Sequence, residues 1–143
     1  MLRYLRAISQ RLRAWRKPLS LGQRGEREAA RYLKKLGYVI VARGQRDMLG
    51  EIDLIAVDGR TIVFVEVKTR AGDLAGHPAD AVDPRKQQRL TRLAASYLKR
   101  HDLLECSSRF DVIAVTWPSG SKRPVIEHFR DAFEAVGARG MYS

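Results

Sequence analysis

Between Ser20 and Gly37 small and apolar residues recur at helical spacing. At about 100° per residue, Gly22, Ala29, Ala30 and Leu33 share one face, with Arg24, Arg27, Glu28, Arg31 and Lys35 on the other. Ser20-Leu-Gly-Gln23 has the form of a capping box, and Gly37 is placed to end the helix. One acidic residue, Glu26, falls within the inward stripe, whereas Glu28 falls in the solvated one. A carboxylate on an inward face is an exception that asks for a reason.

The period then changes. Tyr38–Ala42, Glu51–Val57 and Thr61–Lys68 are apolar almost throughout and predict three strands, the last two joined by Asp58-Gly59, a strong hairpin signal. Strands so apolar imply helices on both faces of their sheet. Residues 70–82 have no period and predict a loop, which contains the isolated His77. Asp83-Pro84 starts a second helix, to about His101, with Lys86, Leu90, Leu93 and Tyr97 inward. Phe110–Trp117 and Pro124–Phe129 predict two more strands, and Ala132–Val136 a last helical turn. The order α-β-β-β-α-β, with additions, describes one α/β domain over residues 20–137, followed by a tail at 138–143.

Hairpin parity brings the chemistry together. A two-residue Asp58-Gly59 loop pairs Val57 with Arg60, and so Ile55 with Ile62 and Asp53 with Phe64. Opposed residues share a face, as do residues two apart, so Asp53, Phe64, Glu66 and Lys68 project to one side, with Glu51 opposite Glu66. Two carboxylates this close repel unless a proton or cation lies between them. Mg²⁺ or Mn²⁺ suits such oxygen ligands together with a phosphate and water. Asp53, Glu66 and Lys68 are therefore the candidate catalytic residues, with Asp53 and Glu66 as metal ligands and Lys68 handling the attacking water. Glu26 is a further metal ligand, direct or through water. Lys86 lies near enough to the helix start to reach a phosphate, and Arg46 and Arg70 flank the hairpin as candidates for the nucleic-acid backbone. Asp111 on the fourth strand is expected to pair with a basic neighbour.

Charge narrows the class of partner without deciding it, since an anionic membrane surface attracts the same sign as nucleic acid. The 143 residues carry 27 Lys and Arg against 16 Asp and Glu, a net +11. Six of the basic residues and none of the acidic ones precede Ser20, which leaves 21 against 16 for the rest. A basic protein gains affinity for polyphosphate by releasing counterions, so nucleic acid leads, with DNA favoured. Residues 1–19 place Leu5, Ile8, Leu12 and Trp15 on one side of an arginine-rich helix stopped by Pro18, an arm that could also meet an anionic membrane surface. The single cysteine, Cys106, leaves no disulfide or Cys-based zinc site and fits the reducing cytoplasm. No apolar run approaches the length of a membrane span, and the arm lacks the apolar core of a secretory signal.

The motifs GQRGE (22–26), GEIDLIAVDG (50–59), FVEVKTR (64–70), the Lys86–Leu90 segment and RFDVIAV (109–115) resemble the YraN family of small bacterial proteins. That family is similar to archaeal Holliday-junction resolvases and, more broadly, to the PD-(D/E)XK restriction-endonuclease-like nucleases. The resemblance spans residues 20–131 and leaves the arm outside. It implies a four-stranded mixed sheet flanked by helices and a Mg²⁺-dependent endonuclease site with Glu26, Asp53 and the pair Glu66 and Lys68. Resolvase-like action on branched DNA would imply a homodimer. Two positions depart from the pattern: Ile52 stands where the motif has proline, and Gly44-Gln45-Arg46 replaces the expected N-W-R. Three functions are thereby set against one another: a metal-dependent endonuclease, a nucleic-acid-binding module on a nuclease fold that no longer cleaves, and a membrane-surface protein anchored by its arm.

Overall fold

A computed structural model describes residues 18–73 and 82–136, together with Leu2. The predicted arm helix, most of the 70–82 loop with His77, and the tail at 138–143 lie outside the described residues. Helix α1 (Leu21–Lys35) opens on the Ser20 capping box, in which the Ser20 side chain accepts from the Gln23 N–H and the Gln23 side chain from the Ser20 N–H. Three strands follow, β1 (Val39–Asp47), β2 (Gly50–Asp58) and β3 (Thr61–Ala71), then helix α2 (Pro84–Arg100), β4 (Ser108–Trp117) and β5 (Val125–Phe133). The sheet runs β1-β2-β3-β4-β5. Its pairs are antiparallel except β3 with β4, which are parallel because α2 carries the chain back across the sheet. This is the expected mixed sheet in an α/β domain, with the five strands read from the sequence rather than the four that the resemblance implies.

Each face of the sheet is covered by one helix. Ala29, Ala30 and Leu33 of α1 pack on Leu54, Ala56, Val63, Val65 and Val67. Leu90, Leu93, Ala94, Tyr97 and Leu98 of α2 pack on Ile52, Ile55, Ile62, Phe64, Phe110 and Val112. Burial on both sides explains why β2 and β3 read as continuous apolar runs.

Four sequence expectations are corrected. The β2–β3 hairpin closes at Asp58 and Thr61, so the loop is Gly59-Arg60 and Ile55 pairs with Phe64. Gly59 takes a positive φ of 62° at the first loop position, as in a type II′ turn, which moves the register by two residues. Second, β1 runs on to Asp47 and pairs with β2 over its length, although Arg43–Arg46 carries no apolar pattern. Third, Gly22 is exposed, and the glycine pressed against the sheet is Gly25. A Cβ there would stand 1.9 Å from Thr69 Oγ1 and 2.8 Å from Thr69 Cβ, so only glycine lets α1 approach β3 this closely. Last, no helical turn forms at Ala132–Val136. The strand continues to Phe133, whose ring stacks on Phe110 at 4.7 Å, and the Val136 N–H donates to the Thr91 hydroxyl.

Candidate metal and phosphate site

The β2–β3 ladder stops at Leu54 and Val65. One residue further, this register sets Asp53 opposite Glu66. There the Asp53 carboxylate replaces a backbone acceptor and takes the Val67 N–H at 2.8 Å. Ile52 and Ile55 both join the α2-side core, so strict alternation breaks around Asp53. Its side chain turns towards α1, where the close approach at Gly25 delivers Glu26 from the next position. Oxygens of Glu26, Glu51 and Asp53 lie within 4.8 Å of one another. All three residues are half-buried.

The sequence pattern sets Glu51 opposite Glu66 on the shared side and leaves it outside the metal ligands. The structure sets it beside Asp53 and Glu26, with Glu51 Oε2 accepting from Arg46 Nε at 2.7 Å. A pattern of alternating side chains could not find this, because the alternation itself fails here. Glu66 lies 6% exposed behind the cluster, ion-paired with Lys68 Nζ at 3.7 Å and with Lys86 Nζ. Lys86, expected only to reach phosphate, thus joins the same constellation. Arg46 is exposed and tied to Glu51. Arg70, near the end of β3, pairs in register with Thr116.

Electrostatics follow from this crowding. Burial, then the charge of Glu66, push the Asp53 carboxyl up to about 7, against the pull of the Val67 N–H. Burial and then Glu51 and Glu66 raise Glu26 as well. Lys68 is lowered by burial and by the neighbouring Lys86, whereas Lys86, despite burial, is held above the usual amine range by its hydrogen bonds with Glu66 and Lys68. Lys68 is therefore the amine of the pair that gives up its proton first. Three carboxylates whose oxygens converge this closely, and whose mutual repulsion a cation would offset, fit a hard divalent ion such as Mg²⁺ or Mn²⁺.

The other titratable cluster is structural. Asp111, fully buried, accepts from Arg109 Nε at 3.0 Å and the Asp131 N–H at 3.0 Å, and meets His128 Nε2 at 2.7 Å. Burial raises its carboxyl, but His128, Arg109 and the Asp131 N–H together hold it below the ordinary range. Arg109 continues to Asp58 and the Tyr38 hydroxyl, so this network fastens β2, β4 and β5 to the residue that leads into β1. No helix among the described residues is long and apolar enough to cross a membrane.

The sequence profile of the uncharacterised protein family UPF0102 matches residues 25–115. A UPF0102 protein of Rhodopirellula baltica is 44% identical over an alignment covering 99% of this chain and 92% of that protein. Similar proteins occur in Geobacter sulfurreducens, 48% identical over 80% of this chain and 88% of theirs, and in Chlorobaculum tepidum, 47% identical over 86% and 98%. The Rhodopirellula alignment takes in the basic arm, which the motif resemblance had left outside.

Proposed function

The chain belongs to the UPF0102 family, the YraN group, and on the geometry of its carboxylate cluster we propose that it is a metal-dependent endonuclease hydrolysing phosphodiester bonds of nucleic acid, with DNA favoured. One observation carries this reading: Glu26, Glu51 and Asp53 converge within 4.8 Å beside Glu66, Lys68 and Lys86. A fold has no structural use for carboxylates crowded until one of them holds its proton near neutrality, since each repels the others.

Glu26, Glu51 and Asp53 would hold Mg²⁺ or Mn²⁺, with Glu66 at the edge of the site. When bound, the ion supplies charge to a phosphoryl oxygen and a lowered pKa to water. The chain's own groups do the rest. The Val67 N–H fixes Asp53 Oδ2 and so holds the carboxylate in the cluster. Lys86 stays protonated on Glu66 and presents positive charge to a phosphate without leaving its partner. Lys68 Nζ, in the neutral form that burial and Lys86 favour, would accept the proton of the attacking water and return it to the departing oxygen.

The deciding experiment incubates the wild-type protein and Lys68→Ala with linear, single-stranded and four-way-junction DNA, with and without Mn²⁺. Cleavage by wild type only with the ion, and none by Lys68→Ala, is expected. Binding to all three substrates without cleavage of any would leave a non-cleaving nucleic-acid module. Failure of wild type both to bind and to cleave would overturn the reading.

A further inference from the structure

A second concavity, of about 290 Å³, lies on the far flank of α1 from Glu26. Arg24, Arg27 and Arg31 line it from the helix, Lys122 and Trp117 from the end of β4 and the turn beyond, and Glu28 is its one carboxylate. Glu28 is engaged by Arg31 at 3.4 Å, and the Arg24 guanidinium lies 4.7 Å over the Trp117 ring. Arg27 and Lys122 make no ion pair or hydrogen bond among the described residues and are exposed. Four cations against one satisfied carboxylate repel one another, an arrangement that costs stability and gains from an anion.

We propose that this pocket is a second phosphate-backbone site, which holds the nucleic acid away from the point of cleavage. The inference rests on nucleic acid being the partner. Arg24 to Arg31 spans about 10 Å along the helix axis, close to the length of three nucleotides of one duplex strand, at about 3.4 Å each. Glu26 points from the opposite side of the same helix, roughly one helix diameter, about 10–12 Å, away. A duplex or a branch crossing the N-terminal half of α1 reaches both places at once, whereas a free nucleotide does not. Arg24, held flat on Trp117, is pre-ordered for a phosphate or for stacking on a base. The lining is polar and concave, with Leu19 its only exposed large apolar side chain. That favours a polyanion over a lipid surface, which needs apolar side chains to insert.

The test removes charge without touching the metal site. Full-length Arg27→Gln/Lys122→Gln is compared with wild type and with Lys99→Gln/Arg100→Gln, which removes equal charge from the exposed last turn of α2. Binding of a fluorescein-labelled duplex is followed by anisotropy across salt concentrations, beside flotation with vesicles containing anionic lipid. The pocket variant should bind on the order of ten-fold more weakly near 0.1 M salt, and its salt slope should fall by about 1.8 for two lost contacts. The α2 pair should change neither much. Where wild type cleaves, kcat at saturating DNA should be unchanged while KM rises. Equal losses in both double variants would show a general charge effect and overturn the proposal. So would unchanged DNA affinity with lost vesicle binding, which would make the pocket a lipid contact. A wild type that binds DNA but cleaves none would defeat the nuclease reading, while the binding comparison would still decide the pocket.

Discussion

Replacing Asp53 with Asn separates a functional carboxylate from a structural one. In the folded chain without metal, Asp53 holds its proton up to about pH 7, against 3.8 as the ordinary value. At about 1.4 kcal/mol for each pH unit, ionising it in place costs up to about 4 kcal/mol. Asp53 keeps some contact with water, and salt screens its acidic neighbours, so about half of this, roughly 2 kcal/mol, is the expected gain on removing the charge near pH 8. The asparagine Oδ1 can still take the Val67 N–H, so the hydrogen bond is not lost with it. For 143 residues, an unfolding entropy of about 2.1 cal/mol/K per residue turns that gain into a rise in Tm of about 7 °C.

The sign depends on pH. Because the folded carboxyl is raised, the native state binds a proton that the unfolded chain releases between about pH 4 and pH 7. The stability this confers on wild type is present at low pH and lost as pH rises through 7, and the asparagine variant has no such dependence. Differential scanning fluorimetry without metal should therefore show the two melting closest together below about pH 4, with the variant increasingly the more stable as pH rises to 8. Adding Mn²⁺ should raise the wild-type Tm by mass action, by about 2.7 kcal/mol at a hundred-fold excess over Kd. The variant should gain far less and should cleave nothing. Destabilisation by Asp53→Asn at pH 8, or a difference that does not move with pH, would refute the reasoning.

Other substitutions probe the supporting parts. Glu26→Gln should weaken the Mn²⁺-induced shift in Tm, whereas Glu28→Gln, which loses only its pairing with Arg31, should leave it unchanged. Lys86→Met removes the cation that depresses Lys68, so the Lys68 pKa rises and the acidic limb of the pH–rate profile should move to higher pH, by stopped-time cleavage assays. Gly25→Ala drives a Cβ into Thr69 and should cost about 1–3 kcal/mol by denaturant melts, with metal affinity falling as Glu26 is pushed back. Asp111→Asn should destabilise by about 3–5 kcal/mol, because Arg109 and His128 lose a buried partner, yet leave the metal-induced shift in place.

Parity explains why the pair Glu66 and Lys68 was legible although the register was not. The sequence pattern placed the turn at Asp58-Gly59, whereas the chain turns at Gly59-Arg60. The slip is two residues, and a strand's side chains repeat every two, so Glu66 and Lys68 keep their common side, whereas Asp53, where the alternation breaks, turns to α1 and meets Glu66 only across the end of the ladder. A slip of one would have reversed them. Asp53 and Glu66 come closer than expected, directly opposed instead of offset by two. The capping box, the helix on each face and the inward phase of Glu26 were equally legible, because each depends on spacing within one element.

What spacing could not supply is what happens where regular structure ends. Glu51 meets Glu26 because β2 loses its alternation at Asp53, and that loss follows from the Val67 N–H choosing a side-chain acceptor over a backbone one. Gly25 was missed because its role lies in the distance between α1 and Thr69, which the helix wheel does not contain. Lys86 reads from sequence as an inward lysine on α2, and only the crossover from β3 through α2 to β4 brings it onto Glu66. The site thus sits where two regular pairings fail together, the end of the β2–β3 ladder and the tight approach of α1. Ending the ladder exposes backbone donors and charged side chains at the centre of the sheet, a position otherwise reserved for apolar residues. A fold that held these strands in full register would be more regular, but it would turn Asp53 away from Glu26 and leave an ion nothing to bridge.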